Sequence, residues 1–372
     1  MKKNKVHICH HNDLDGYAAA YVAWRVCKLY KLIPPELILF HEMTYGKEFP
    51  FSEIRNEDVV IIVDYSLPVN DMQKLLDITP CVIWIDHHKT AMEMYDNDGY
   101  SSPYPLKPRF DDKTLDDIEN EIYSPCISEE EYIKPYEISF KPVREGNVIP
   151  GLRSNRFCGA VNTWIFFEIM VRTMCNNKQI MPYVDDVRDC FIFPVIKEDT
   201  IEFNVDDIFV PHLLKLVNDW DLWIHKFADS ENLNVFFSAH KSALPPTSTI
   251  WNKLWSDTCY LNRVVGEGSI MLQYKKEVLS RTAKSGAFKA EIDAVPVIAL
   301  NTTEASSRAF ESVKDDPRFA ECKAMLRFCL NSDHKWEYSM YSEEIDVSEI
   351  CKNHGGGGHK GAAGFVSDTL VV

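Results

Sequence analysis

The chain has 372 residues, 45% of them hydrophobic and 26% charged, with 15 glycines and 19 prolines; this is ordinary globular composition, which excludes fibrous and disordered classes, and the length predicts two domains. Fifty-six acidic against forty basic side chains leave a formal charge of −16, a surface that repels long polyanions and disfavours a protein that tracks along DNA. A small phosphate substrate drawn to bound cations stays compatible, because divalent ions are often the largest local charges in a site.

The basic start, residues 1–5, leads into an apolar run confined to residues 6–9, and nowhere are there eighteen consecutive apolar residues. Neither a signal peptide nor a membrane span is expected. After that first strand-like run come a helix-like stretch over 16–31, an apolar piece at 37–40, the β-branched run 59–63, a helix-like stretch over 70–77 and the apolar run 82–85. Continuous apolar runs alternating with helices predict an α/β fold: a buried parallel sheet with helices on both faces.

From about 96 to 150 the character changes, with several prolines, an acidic cluster around Asp111 to Glu121 and the run Glu129-Glu130-Glu131. This reads as an insertion with partial structure, its charge runs forming solvated faces. Helical patterns return over 158–173, 210–217 and 260–284, the last after the turn-rich 242–248. Beyond residue 287 the order is strand 296–300, helix 303–313, strands 324–330 and 336–342, helix 345–353, then a glycine-rich turn and a short terminal strand. The expected organisation is a first domain over 1–240, a connector over 241–285 and a smaller α/β domain over 286–372. Eleven cysteines lack any C-x-x-C pair, which predicts reduced core residues in a cytoplasmic protein rather than a disulfide framework or a zinc ribbon.

Three motifs each stand directly after an apolar strand: His11-Asn12-Asp13-Leu14-Asp15-Gly16, Asp64-Tyr65-Ser66 and Asp86-His87-His88. In an open parallel sheet the carboxyl ends of the strands form the crevice where ligands bind, so residues distant in sequence converge there. An aspartate after a strand is by itself often a helix cap; three such motifs, the outer two adding histidines, are not explained by capping. Carboxylates mixed with imidazoles suit divalent ions such as Mn²⁺, and two ions about 3.5–4 Å apart serve both the attacking water and the departing oxygen of a phosphoryl transfer. The chemistry inferred is phosphoester hydrolysis.

The three motifs, extended to Val63-Asp64-Tyr65-Ser66 and Trp84-Ile85-Asp86-His87-His88-Lys89-Thr90, resemble the first three motifs of the DHH phosphoesterases. That superfamily holds nanoRNases, RecJ-type exonucleases, cyclic-dinucleotide phosphodiesterases and pyrophosphatases. Gly355-Gly356-Gly357-Gly358-His359-Lys360-Gly361-Ala362-Ala363-Gly364-Phe365 resembles the GGGH signature of the DHH-associated substrate-binding domain. Gly159-Ala160 with Thr163-Trp164, Asp219-x-Asp221-Leu222-Trp223 and Asn301-Thr302-Thr303 resemble further landmarks, so the likeness covers nearly the whole chain outside 96–150.

The resemblance implies that His11, Asp13, Asp15, Asp64 and His87 hold two divalent ions, Mn²⁺ foremost with Mg²⁺ or Co²⁺ as alternatives, and that Asp64 bridges them. Asp86 is then expected to orient that metal-binding histidine, His87, and His88 to face the scissile phosphate. Some branches place a histidine four residues before the first aspartate, where this chain has Cys9, so His10 stays open beside His11. Asp219 is taken as the fourth-motif ligand, with Asp221 next to it in preference. Gly356, Gly357, Gly358 and His359 are expected to bind substrate, since glycines let backbone N–H groups approach a phosphate. Arg308 is a further phosphate contact, weighed against a plain helix-surface role. Trp220, Trp223, Trp251 and Trp255 offer base stacking, weighed against packing.

The first substrate expectation is an oligonucleotide only a few residues long, in the manner of a nanoRNase. A cyclic or linear dinucleotide or 3′-phosphoadenosine 5′-phosphate is the alternative, and a non-catalytic nucleotide-binding module is the reading from another class. No membrane and no stable long-DNA complex are expected, and the oligomeric state is left open.

Overall fold

The structure is a computed structural model and describes residues 4–29, 34–97, 136–138, 149, 151–176, 201–203, 210–304 and 306–372. The expected insertion at about 96–150 lies mostly outside the described residues. The chain divides into two compact units, Met1–Gly268 and Ser269–Val372. Among the described residues no helix is long and apolar enough to cross a membrane.

The first unit is built on four strands, β1 (Val6–His11), β2 (Ile38–Met43), β3 (Val59–Val63) and β4 (Val82–Ile85). They pair in the order β2-β1-β3-β4, all parallel. Every residue of β3 and β4 is buried, which is why those runs are apolar without alternation: both faces are covered. One face carries the cluster Cys9, Val60, Ile62 and Trp84, packed by Met72 and Leu75 of α2 (Val69–Ile78) and by Ala91 and Tyr95 of α3 (Lys89–Asn97). α1 (Leu14–Leu29) packs against β1 and against α4 (Gly159–Asn176). Its Ala18, Ala19, Ala20, Tyr21, Val22 and Ala23 are fully buried, as an all-round apolar helix requires. Helices on both faces of a parallel sheet are the fold the sequence predicts.

The order reverses between β1 and β3, because β2 lies on one side of β1 and β3 with β4 on the other. This is the position in an open α/β sheet where a crevice forms beyond the strands' carboxyl ends. α5 (His212–Asp221), α6 (Ala228–Ala239) and α7 (Thr249–Ser256) follow. α6 and α7 were not expected from the sequence, yet Leu233, Phe236 and Phe237 of α6 sit at helical spacing and are buried. α8 (Thr258–Gly286) is the long helix within which the two units divide. Among the described residues this unit also has a short antiparallel pair, β5 (Tyr136–Ile138) with β6 (Ile201–Phe203).

The second unit is a six-stranded mixed sheet, ordered β11-β12-β10-β9-β8-β7. Its strands are β7 (Phe288–Ile292), β8 (Val295–Asn301), β9 (Ala324–Leu330), β10 (Trp336–Tyr341), β11 (Gly357–His359) and β12 (Ala362–Ser367). α9 (Val347–Asn353) buries Val347, Ile350 and Cys351 against one face, and Leu279 and Ala283 of α8 pack with Ile298 and Leu300 on the other. β7 is an addition to the expected elements; Asp293 and Ala294, both left-handed, close its hairpin with β8, the geometry favoured by two-residue turns.

The helix expected over 303–313 is a correction: the described residues hold only a 3-10 turn, Ser307–Phe310. Thr302 Oγ1 accepts from Glu304 N and Ser306 Oγ from Arg308 N, and such local hydroxyl bonds compete with helix formation. The glycine-rich segment, expected as a turn, forms the edge strand β11. Cys9, Cys27, Cys158, Cys329 and Cys351 are buried.

Candidate metal centre

The three motifs do meet at the carboxyl end of the parallel sheet. β1 ends at His11, whose Nδ1 lies 2.6 Å from Asp13 Oδ2, while Asp13 Oδ1 accepts from Gly16 N at 2.9 Å. Gly16 allows this turn: a Cβ there would lie 2.3 Å from the His11 carbonyl oxygen. Asp15, one step into α1, is 1% exposed and is held by the start of α4. Gly159 N donates to its Oδ2 at 2.6 Å and Ala160 N to its Oδ1 at 2.8 Å. A buried carboxylate is thus stabilised by a helix N-terminus, whose free N–H groups and dipole favour negative charge.

Asp64 follows β3 in a left-handed conformation with φ 52° and is 1% exposed. Its Oδ1 lies 3.1 Å from His87 Nε2, and the same nitrogen is 3.5 Å from Asp221 Oδ2 and 3.8 Å from Asp15 Oδ2. Asp86, after β4, is fully buried. Its Oδ1 accepts from His87 N at 2.7 Å and faces His88 Nδ1 at 2.7 Å, and its Oδ2 takes the Ser66 hydroxyl. Asp86 therefore orients the ring of His88 and the backbone of His87.

Three groups of side chains bring potential ligand atoms within 4.8 Å of one another: Asp64, Asp86, His87 and His88; His11, Asp13 and Asp64; Asp15, His87 and Asp221. Asp64 belongs to two of them and His87 to two. Among the described residues, Asp64 Oδ1 and Asp221 Oδ2 are buried and accept no hydrogen bond, although both face His87 Nε2. Leaving a buried carboxylate oxygen unsatisfied is costly. A divalent cation is the partner that fits both atoms, and carboxylate with imidazole is a donor set suited to Mn²⁺ or its neighbours.

The crowding of negative charge shows in the proton affinities. Burial, reinforced by Asp15, Asp13, Asp221 and Asp86, pushes Asp64 well above the usual carboxylate range. Burial together with Asp15, Asp13 and Asp86 pushes Asp221 up to about 9. Burial also works to raise Asp13 and Asp86, but hydrogen bonds from His11 and from His88 outweigh it and hold both below the usual range. The same two bonds raise His11 and His88. Like charges in one site and opposite charges in contact account for the contrast.

Of the two histidines left open on β1, His11 joins the cluster. His10 is 1% exposed, with its Nδ1 on the His11 carbonyl oxygen at 2.7 Å and its ring against Tyr17. Asp219 and Asp221 also separate. Asp219 turns to the following loop, accepting from Lys226 N at 2.9 Å, Phe227 N at 3.2 Å and Ser230 Oγ at 2.6 Å, while Asp221 reaches His87. A helix places residues two apart on different faces, and in the sequence Asp219-Trp220-Asp221 nothing says which face is inward. Ser66 and the Gly159–Ala160 amides were read from the sequence only as parts of motifs, and the structure gives them contacts to Asp86 and Asp15.

In the second unit, Gly358 has φ 143° and a Cβ on Gly356 would lie 2.1 Å from the Gly364 carbonyl oxygen. Two of the glycines are thus required by the β11–β12 pairing, whereas a Cβ on Gly357 meets nothing. His359 is exposed at the end of β11. Arg308 is half-buried in the 3-10 turn. Among the tryptophans, Trp251 is fully buried, Trp255 packs on Tyr21 and Trp164, and Trp223 is 70% exposed beside Trp220.

No family model matches the chain. An uncharacterized protein of Acanthamoeba polyphaga mimivirus is 22% identical over 291 residues, 73% of this chain and 65% of that protein; the chain thus spans just under two thirds of that curated relative. Among solved structures, a pGpG-specific phosphodiesterase, PggH of Vibrio cholerae, aligns over 98% of this chain and 93% of its own at 12% identity and a TM-score of 0.37. An exonuclease RecJ bound to manganese aligns over 98% and 86% at 12% identity and a TM-score of 0.40. A DHH domain of a protein described as a member of the s1p family of ribosomal proteins aligns over 98% and 82% at 14% identity and a TM-score of 0.38. At these identities and scores, the reading of the site rests on the chain's own motifs and geometry.

Proposed function

We propose that this chain is a divalent-metal-dependent phosphoesterase of the DHH type that hydrolyses phosphodiester bonds in short oligonucleotides or dinucleotides. The observation that carries the reading is the convergence of two buried carboxylate oxygens that accept no hydrogen bond, Asp64 Oδ1 and Asp221 Oδ2, on the one nitrogen His87 Nε2. In this reading, His11, Asp13 and Asp64 would hold one ion and Asp15, His87 and Asp221 the other, with Asp64 in reach of both. Bound there, two ions supply activation of water and neutralisation of the charge that builds on the phosphate.

The remaining work belongs to the chain. The α4 N-terminus holds the Asp15 carboxylate in place through the Gly159 and Ala160 amides, and Asp86 fixes the tautomer and orientation of His88. His88 Nδ1 is committed to Asp86, so Nε2 is left to stabilise the scissile phosphate or protonate the departing oxygen. Asp219, first in order as the fourth-motif ligand on sequence grounds, serves in this reading as the anchor of the loop after α5. The glycine-rich strand with His359, and Arg308, are proposed as contacts for the rest of the substrate.

The test is product analysis by mass after incubating the protein with Mn²⁺, Mg²⁺ or Co²⁺ and a panel of substrates. The panel holds RNA and DNA oligomers of two to twenty-four nucleotides, cyclic dinucleotides and 3′-phosphoadenosine 5′-phosphate, with EDTA and Asp64→Ala as controls. Metal-dependent conversion of the shortest oligomers to mononucleotides is the expected result. Selective turnover of a cyclic substrate moves the assignment to messenger degradation. Bound metal without turnover of any substrate rejects the enzyme and leaves a nucleotide-binding module.

A further inference from the structure

Three of the four strand ends of the parallel sheet deliver carboxylates and imidazoles to the site. The fourth, β2, delivers an aromatic ring. After Met43 the chain makes a tight turn in which Lys47 N donates to Thr44 O at 3.0 Å and Gly46 takes φ 92°. At the head of that turn stands Tyr45. Its ring centroid lies 5.8 Å from that of His11, 5.2 Å from that of Tyr65 and 6.4 Å, edge-on, from that of His88. The side chain is nevertheless 60% exposed.

These two facts together separate Tyr45 from a packing residue. Its neighbour Tyr65 is 3% exposed and belongs to the core, so the core is closed without the Tyr45 ring. What the ring faces beyond Tyr65 are two imidazoles of the candidate centre itself, one at the end of β1 and one after β4. Isolated exposed aromatics are common on protein surfaces; one set between two histidines of the candidate centre is exposed beside the groups that would act on substrate. The surroundings also select what it would meet. The nearby carboxylates of Asp13, Asp64 and Asp86 repel a phosphate that is not neutralised by cations, whereas an uncharged planar ring meets no such barrier and gains stacking area on the phenol.

We propose that Tyr45 is the stacking platform for a nucleobase of the substrate, on the side of the centre bounded by His11 and His88. The inference rests on the phosphoesterase reading and deepens it: the substrate is gripped by a base next to the bond that breaks, not by phosphates alone. Stacking on a tyrosine is tolerant of base identity, because every base has a π-face, so the platform selects nucleosides over other phosphoesters without selecting a sequence. Trp223 is also exposed, but its ring neighbours are Trp220 and His225.

The experiment compares a 5′-phosphorylated adenine dinucleotide with its fully abasic analogue, in saturating Mn²⁺, for the wild type and for Tyr45→Ala, Tyr45→Phe and Tyr45→Trp. The readouts are kcat and KM separately, and calorimetric binding of both ligands. The wild type is expected to prefer the base-bearing dinucleotide. Tyr45→Ala should lower that preference by about tenfold through KM, in line with the loss of one stacked base, and Phe and Trp should restore it. A preference kept in Tyr45→Ala, or a loss of kcat that is equal on both ligands and not rescued by Phe, overturns the platform. If the wild type turns over neither ligand, the reading as an enzyme of short linear oligonucleotides has failed; binding then decides Tyr45 by itself, and equal affinity for the two ligands overturns it.

Discussion

The Asp221 carboxylate stands 3.5 Å from His87 Nε2, while Asp219, two residues back on the same helix, is fully buried and spends both oxygens on the loop that follows and on Ser230 at the start of α6. The two aspartates should therefore fail in different ways when replaced. Asp221→Asn removes a ligand and should abolish metal-dependent turnover with little change in melting temperature. Asp219→Ala removes the acceptor shared by Lys226 N, Phe227 N and the Ser230 hydroxyl, and should destabilise the fold by about 1–3 kcal/mol. Urea denaturation of the two variants, alongside Mn²⁺ titration, checks this; a stable Asp219→Ala protein that has lost metal would reverse the assignment.

Asp221 is pushed up to about 9 in the folded chain, against about 3.9 for an aspartate in an unfolded one. Between those values the folded state binds the extra proton. The stability this contributes is fully present below the unfolded pKa and is lost as pH rises through the folded one. Metal-free protein in EDTA should thus melt at falling temperature from about pH 4 to about pH 9 and level off above that. Ion binding requires the deprotonated carboxylate, so Mn²⁺ affinity should rise over the same span. Asp221→Asn should flatten both trends. A metal-free melting point that climbs with pH in this window would contradict the crowded-carboxylate account.

Much of this site was legible in the sequence, and the reason is local. A β-branched run such as residues 59–63 fixes a strand, and the residue after it must lie at the strand's carboxyl end, so Asp64 and Asp86 were placed by their neighbours alone. His11 against His10 was not, because alternation along β1 depends on which face of the sheet is covered and by what. Asp219 against Asp221 failed to separate for the same reason on a helix. Tyr45 left no signal: β2 ends without an acidic motif, and only its pairing beside β1 carries the turn to the rim. In the second unit, Ser306 and Thr302 divert a helix-like stretch into a single 3-10 turn through contacts a periodicity count does not see.

Gly159 offers a test of how tightly the centre is assembled. A Cβ built on it would lie 2.5 Å from Asp64 Cβ and 2.7 Å from Asp64 Oδ1, while its own N–H holds Asp15. Gly159→Ala must displace Asp64, or withdraw the start of α4 from Asp15, or both. Overpacking of this kind costs about 1–3 kcal/mol, so the variant should fold, melt a few degrees lower and bind Mn²⁺ at least about tenfold more weakly. Calorimetric titration with Mn²⁺ and a thermal melt give both numbers, and unchanged metal affinity would show that the Asp64–Gly159 contact yields without consequence.

Asp86 and His88 form a buried acid paired with a partly exposed base. The Asp86 hydrogen bond is the largest influence on His88 and raises its pKa, and Ser66 donates to the other Asp86 oxygen, holding that carboxylate in place. If His88 donates a proton to the departing oxygen, the alkaline limb of the pH–rate profile reports its protonated form. Asp86→Asn keeps the shape of the side chain but removes its charge, so His88 should lose its proton at lower pH and the alkaline limb should move toward acid. His88→Gln should remove the limb altogether and lower kcat by about 100-fold or more. Profiles of kcat against pH for the three proteins at saturating Mn²⁺ make the comparison. A limb that stays fixed in Asp86→Asn would mean that Asp86 positions the backbone after β4 and leaves the proton chemistry of His88 alone.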